Sequence, residues 1–323
     1  MHALVDPAIL FFVFGVFAGL VKSNLEIPPA ISRFLSLYLL MALGLKGGFA
    51  LNQSGLTGQV AVSLSVAVFL AILVPGLSYL LLRRALGGFD AAALAATYGS
   101  VSAVTFITAM NHLETHGQAY GGHMAAAMAL MESPAIIFAV LMANRLRGTS
   151  GARQAPSERN FSVGKVLHES FTDGAQLLLL GAMLIGVVSG EAGQRAMQPF
   201  SGDLFKGMLA FFLLDMGLMA ARNLPGLRGQ SPWLMAYGLL APLAHAAVAL
   251  GICWLLDVPQ GDAALLMVLA ASASYIAVPA VLRYALPEAN PSLYVGLSLG
   301  LTFPFNILLG IPLYARLAAA MLA

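Results

Sequence analysis

Ten long apolar runs organise the chain, at about residues 7–22, 31–51, 59–83, 90–112, 121–145, 170–190, 202–222, 231–256, 262–285 and 292–320. Short clusters of proline, glycine, asparagine and charged residues punctuate the gaps: Asn24 to Pro29, Arg83 to Gly88, Leu224 to Pro232, Asp257 to Gly261 and Pro287 to Pro291. A helix needs about 20 apolar residues to cross a bilayer. The pattern therefore predicts an all-α integral membrane protein with ten transmembrane helices. The runs are continuous and do not alternate with period two, which argues against a β-barrel. The first run reads as a membrane span and not as a secretion signal, because residues 1–6 hold no Lys or Arg.

The polar positions inside these runs repeat. The segments Asp90–Ser102 and Asp262–Ser274 align without gaps and share Asp90/Asp262, Ala91/Ala263, Ala92/Ala264, Leu94/Leu266, Ser100/Ser272 and Ser102/Ser274. Elsewhere Gly44 falls over Gly217, and Ser133-Pro134 lies near Phe303-Pro304 with a small gap. The chain is expected to be a duplicated unit: a five-helix repeat over 1–147, a linker over 148–165 and a second five-helix repeat over 166–323. Five is odd, so the second copy enters from the opposite face. The repeat is inverted, as in many secondary transporters.

Composition agrees and adds a direction. Hydrophobic residues make up 59% of the 323 and charged residues 9%, against roughly 25% charged in a soluble domain. Mean hydropathy is +0.86. A net charge of +2 does not suggest a nucleic-acid partner. The loops after spans 1, 3, 5, 7 and 9 hold twelve basic residues: Lys22, Arg33, Arg83, Arg84, Arg145, Arg147, Arg153, Arg159, Lys165, Arg222, Arg228 and Arg283. The other side and the termini hold Arg195, Lys206 and Arg316, and Lys46 lies within a span. The positive-inside rule makes the odd-numbered loops cytoplasmic and puts both termini outside. The single cysteine, Cys253, excludes an internal disulfide and reads as a small core residue.

Candidate chemistry gathers in spans 4 and 9. Thr97, Gly99, Ser100, Ser102, Thr105 and Thr108 interrupt one; Ser272, Ser274 and Pro279 interrupt the other. A lone Ser or Thr in a membrane helix usually bonds its own backbone or a neighbouring helix. A matched Ser-x-Ser step in two inverted halves points instead to broken helices that cross near the midplane. A break leaves backbone groups that lipid cannot satisfy, so something else must fill it. Freed N–H groups favour an anion; freed carbonyls and hydroxyls favour a hard cation such as Na⁺. No Lys or Arg lies near either step. The expected cargo is a small anion held by backbone amides and helix dipoles. Asp90 and Asp262 are expected to cap helix N-termini.

Other intramembrane polar groups add candidates. Glu132, beside Ser133-Pro134 in span 5, is expected to be a cation ligand or protonation site. Asn306, after Pro304 in span 10, offers a carbonyl oxygen from the other half. Lys46 and Asp215 stand in the matching spans 2 and 7 and are expected to pair across the pseudo-two-fold; the rival is a Lys46 that snorkels to the outer surface. The segment His112-Leu-Glu-Thr-His116 lacks the His-Glu-x-x-His spacing of a zinc hydrolase. It reads as a solvated outer loop, and no enzyme is expected.

The stretches Asp6–Leu20, Ile27–Pro29, Leu43–Gly48, Tyr98–Phe106 and Met131–Ala135 together resemble the sodium-dependent bicarbonate transporters of the SbtA type, over essentially the whole chain. The resemblance implies a Na⁺/bicarbonate symporter of the bacterial inner membrane, a homotrimer whose core domain moves against a gate domain in an elevator-type motion. It implies that Gly99, Ser100, Val101 and Ser102 with Ala271, Ser272, Ala273 and Ser274 bind bicarbonate. By this reading Na⁺ has Ser100, Ser102, Thr105, Ser272, Ser274, Glu132 and Asn306 as candidate ligands and is the one metal expected. Cyanobacterial relatives are inhibited by a PII-like signalling protein, which makes such a regulator on the cytoplasmic face an expectation here. The rival readings are a symporter of another inorganic or organic anion, a passive anion channel, and a membrane-embedded sensor or scaffold.

Overall fold

The computed structural model describes residues 6–149, 173–227 and 229–322. Nearly all of the expected linker 148–165 lies outside the described residues, as do the start of the run 170–190 and the basic Arg153, Arg159, Lys165 and Arg228. The described chain is helical, with no strand: α1 (Pro7–Leu20), α2 (Pro29–Ser54), α3 (Gly58–Leu82), α4 (Gly88–Gly99), α5 (Ala103–Thr115), α6 (Met124–Thr149), α7 (Gly174–Met197), α8 (Phe205–Asn223), α9 (Pro232–Leu255), α10 (Gln260–Ala271) and α11 (Ala277–Ala285). A last span, α12 (Pro291–Met321), follows.

Local chemistry explains the ends. Proline starts α1, α2, α9 and α12, where its missing N–H is one the helix would leave unpaired anyway. Asp6, Asp173 and Asn290 accept from N–H groups of the helices they precede, at 2.8, 3.0 and 3.0 Å. Helix α7 bends at Gly190, whose φ of 54° is open to glycine. It then runs through a wide turn at Gln198–Asp203 into α8. Wide turns at Ser298–Thr302 and Asn306–Gly310 flank Pro304 in α12.

Among the described residues, seven helical stretches are long and apolar enough to cross a membrane. One, Gly88–Thr115, joins α4 to α5; another, Gly174–Leu227, joins α7 to α8 over 54 residues, more than twice the roughly 20 that one crossing needs. Helices α1 and α10 are apolar but shorter. Exposed side chains such as Phe14 and Phe17 on α1, Ile72 on α3, Val188 on α7 and Leu240 and Leu255 on α9 make an apolar outer surface. Water would penalise it, and hydrocarbon does not.

Two crossings set the packing. Helix α1 lies along α8 and α2 along α7. A Cβ on Gly15 or Gly217 would strike backbone of the facing helix, and so would one on Gly48 or Gly186. Close backbone approach at small residues drives association where lipid removes the hydrophobic contrast. Helices α3, α6 and α9 instead pack around α4 and α10. Every residue of Ala91–Gly99 and Gly261–Ala271 is buried. The apolar, alanine-rich character of these two segments fits a helix enclosed on all sides by protein.

Candidate functional site

Both broken helices are present. The first breaks at Ser100–Ser102, between α4 and α5; the second at Ser272–Ile276, between α10 and α11. The breaks meet. The Ser102 N–H donates to the Ser272 hydroxyl at 3.0 Å, and the Ser274 N–H donates to the Thr97 carbonyl at 2.9 Å. The backbone groups released by each break are thus partly satisfied by the other.

The remaining hydroxyls divide sharply. Ser102 caps α5, its oxygen accepting from the Thr105 N–H at 3.2 Å and from the Thr105 hydroxyl at 2.9 Å. Ser274 accepts from the Val278 N–H at 3.2 Å. Ser272 donates to the Leu269 carbonyl at 2.9 Å. Thr97 and Thr108 bond their own helix backbone, the ordinary behaviour of such residues. The Ser100 hydroxyl is buried with no partner among the described residues, which leaves an oxygen at the crossing free to hold something else. Gly99 is pressed against the Pro75 ring, where a Cβ would meet it at 2.5 Å.

A cavity of about 310 Å³ opens beside the crossing, lined by Val101, Ser102, Ser274 and Tyr275 from the breaks, Glu132 from α6 and Gln176 from α7. Its volume equals that of roughly ten water molecules in bulk. Glu132 accepts from the Gln176 side-chain amide at 2.7 Å. Among the described residues, the charged ones on the wall are Glu132 and Asp173, both acidic. An anion held here by the amides at the start of α5 would sit near carboxylate, and a cation between them would relieve the repulsion. Sequence reasoning missed Gln176, Asp173 and Tyr275. Gln176 was detectable as a lone amide just before an apolar run.

Asn306 acts as a brace. Its amide donates to the Ala271 carbonyl at 2.8 Å, and its oxygen accepts from the Tyr314 hydroxyl at 3.1 Å. It holds the end of α10 at the break.

Four expectations are corrected. Lys46 does not meet Asp215: Lys46 Nζ lies 3.1 and 3.2 Å from the Glu114 carboxylate oxygens, and Asp215 accepts from the Ser32 hydroxyl. The reason is position along the helices: α8 touches α2, but Asp215 meets it at Ser32, fourteen residues and about 21 Å before Lys46, which lies instead over Phe205 at the start of α8. Asp90 and Asp262 do not cap their own helices; each stands in the first turn. Asp90 accepts from the Asn290 N–H at 2.8 Å and Asp262 from the Gly121 N–H at 2.6 Å. His112 is not in a solvated loop, because α5 runs on to Thr115 and buries it. Its ring lies 4.2 Å from that of His116. No cluster of three or more His, Cys, Asp or Glu that could hold a metal ion occurs among the described residues.

A helical, lipid-compatible bundle with two buried broken helices meeting beside a small cavity is the architecture of a multi-pass membrane transport protein. A sequence model of the Na⁺-dependent bicarbonate transporter superfamily matches residues 7–319, and the chain belongs to that family. Membership implies Na⁺-dependent transport of bicarbonate and no enzymatic activity. No individually curated protein matches the chain.

Proposed function

We propose that the protein carries bicarbonate into the cell together with Na⁺, as a secondary active transporter with alternating access. The observation that carries this is the mutual bonding of the two breaks beside a cavity that also holds Glu132. Bicarbonate would take the amides and hydroxyls at Ser100–Ser102 and Ser272–Ser274; Na⁺ would take hydroxyl and carboxylate oxygens, with Glu132 the charged one. Ten crossings follow if Gly174–Leu227 is counted as two and α1 and α10–α11 as one each. The Asp90 and Asp262 ties support an inverted repeat, because each reaches the segment preceding the last helix of the other half. In this reading α1, α2, α7 and α8 form the gate and the remaining helices the moving core. Helix ends near the basic loops are cytoplasmic, so the 310 Å³ cavity faces inward at Asp173. The homotrimer and a PII-like regulator at the cytoplasmic face are taken over from the family resemblance.

Reconstituted protein should accumulate labelled bicarbonate only under an inward Na⁺ gradient. Uptake indifferent to Na⁺ would sink the proposal. The cavity volume favours one further reading, a larger carboxylate as cargo, which competition against bicarbonate would expose.

A further inference from the structure

Helix α5 is a rod with the broken-helix site at one end and an ion pair at the other. Ser102 caps its start and Glu114 stands in its last turn, about 18 Å further along at 1.5 Å per residue. Lys46 reaches Glu114 from α2, and its ammonium also lies 4.2 Å over the Phe205 ring of α8. On the other side the Tyr120 hydroxyl donates to Glu114 at 2.6 Å. Burial and the neighbouring carboxylate push the Tyr120 phenol well above its usual value, so it stays a neutral donor. Tyr120 abuts Gly261 at the start of α10. The lysine is thus held by α2 and α8, and the carboxylate by the segments that carry the breaks.

The pair borders a cavity of about 630 Å³ that also touches Gln53, Gln194 and Gln198. This cavity lies near the end of α7, whereas the 310 Å³ cavity lies near its start, at Asp173 and Gln176. The two stand at opposite ends of the bundle.

We infer that Lys46 and Glu114 are positioning residues for the transport cycle: their ion pair latches α5 to α2 while the site opens toward Asp173, and must part before the site can open toward the other face. The inference rests on the alternating-access reading above. A stiff α5 that slides along its axis relative to α2 carries its end as far as its start. A contact of 3.1 Å does not survive a displacement of several ångströms, so the pair belongs to one end state. With side chains 24% and 31% exposed, such a pair biases a population roughly two- to five-fold.

The test uses a Cys253→Ala background, so that a single introduced thiol reports. Met110, one turn before Glu114, is buried and lines the 630 Å³ cavity; Val281 lines the other. A membrane-impermeant maleimide is applied to intact cells for Met110→Cys and to inverted vesicles for Val281→Cys. Lys46→Gln and Glu114→Gln should each speed labelling at Met110→Cys roughly two- to five-fold and slow it at Val281→Cys. The exchange Lys46→Glu with Glu114→Lys should restore both rates, which separates a latch from general loosening. Unchanged rates in both single variants, or no restoration by the exchange, overturn the latch. If neither thiol responds to Na⁺ and bicarbonate with Lys46 and Glu114 intact, it is the alternating-access reading that fails.

Discussion

The Ser102 N–H donates to the Ser272 hydroxyl at 3.0 Å, and that hydroxyl in turn donates to the Leu269 carbonyl at 2.9 Å. One side chain therefore completes the backbone of both broken helices. Ser272→Ala removes both bonds and strands a buried N–H, at a cost of about 1–3 kcal/mol. If that cost falls on the geometry of the crossing, transport drops by roughly 5- to 150-fold. Ser272→Thr keeps the hydroxyl and should retain far more activity. Equal uptake by the alanine variant and the parent would show that the crossing does not depend on this bond.

The two aspartates that begin the matching segments should differ in what they support. Asp262 is buried and accepts from Gly121, with His123 Nε2 at 3.2 Å from its other oxygen. The bond from Asn290 to Asp90 is exposed. Asp262→Ala is expected to lower stability by about 1–3 kcal/mol, and Asp90→Ala by less than 1 kcal/mol, because water replaces the lost acceptor. Thermal unfolding in detergent would rank them. A larger effect at Asp90 would contradict the burial argument.

Much of this site was legible in the sequence, for a physical reason. Breaks in a membrane helix need polar or proline residues inside an apolar run, and such residues at Ser100, Ser102, Ser272, Ser274 and Pro279 stand out against the background. Several helix ends were legible through the proline, glycine and charged clusters that punctuate the apolar runs. What remained hidden were partnerships across the fold. Asp90 and Asp262 look like caps because local spacing is all that a sequence displays, yet their acceptors serve loops roughly half a chain away. Lys46 was matched to Asp215 by repeat alignment, but Asp215 meets α2 at Ser32, fourteen residues before Lys46, and Lys46 meets Glu114 of α5 instead. Gln176 acquires meaning only once α7 is laid beside α6.

The glycine crossings give a prediction about assembly of the bundle. A Cβ on Gly217 would strike backbone of α1 around Phe12, and one on Gly48 would strike backbone of α7 around Met183. Backbone cannot give way as a flexible side chain can, so Gly217→Val and Gly48→Val should force the paired helices apart. Overpacking of this kind costs about 1–3 kcal/mol, or more where nothing relaxes. Gly76 and Gly251 have nothing near the position of an added Cβ and serve as controls: Gly76→Ala and Gly251→Ala should express and melt like the parent. Folded yield by size-exclusion chromatography decides. Wild-type yield for both valine variants would mean the crossings are looser than these contacts require.

Glu132 supplies the sharpest separation between cation and anion roles. It shares the 310 Å³ cavity with Ser102 and Ser274, and the other charged wall residue among those described, Asp173, is also acidic. A carboxylate beside an anion site raises the energy of the bound anion unless a cation lies between them. Glu132→Gln keeps the size and a carbonyl oxygen for Gln176 but removes the charge that would hold Na⁺. The Na⁺ concentration for half-maximal uptake should then rise by roughly tenfold, about 1.4 kcal/mol of lost cation binding. At saturating Na⁺ the bicarbonate requirement should change far less, since the amides and hydroxyls of the breaks are untouched. Gln176→Leu removes only the neutral donor and should shift the Na⁺ requirement less than Glu132→Gln. The measurement is a Na⁺ activation curve at fixed bicarbonate, followed by a bicarbonate curve at saturating Na⁺. A Glu132→Gln variant with the parent's Na⁺ curve would take this carboxylate out of the coupling path and leave the hydroxyls of the two breaks to hold the cation.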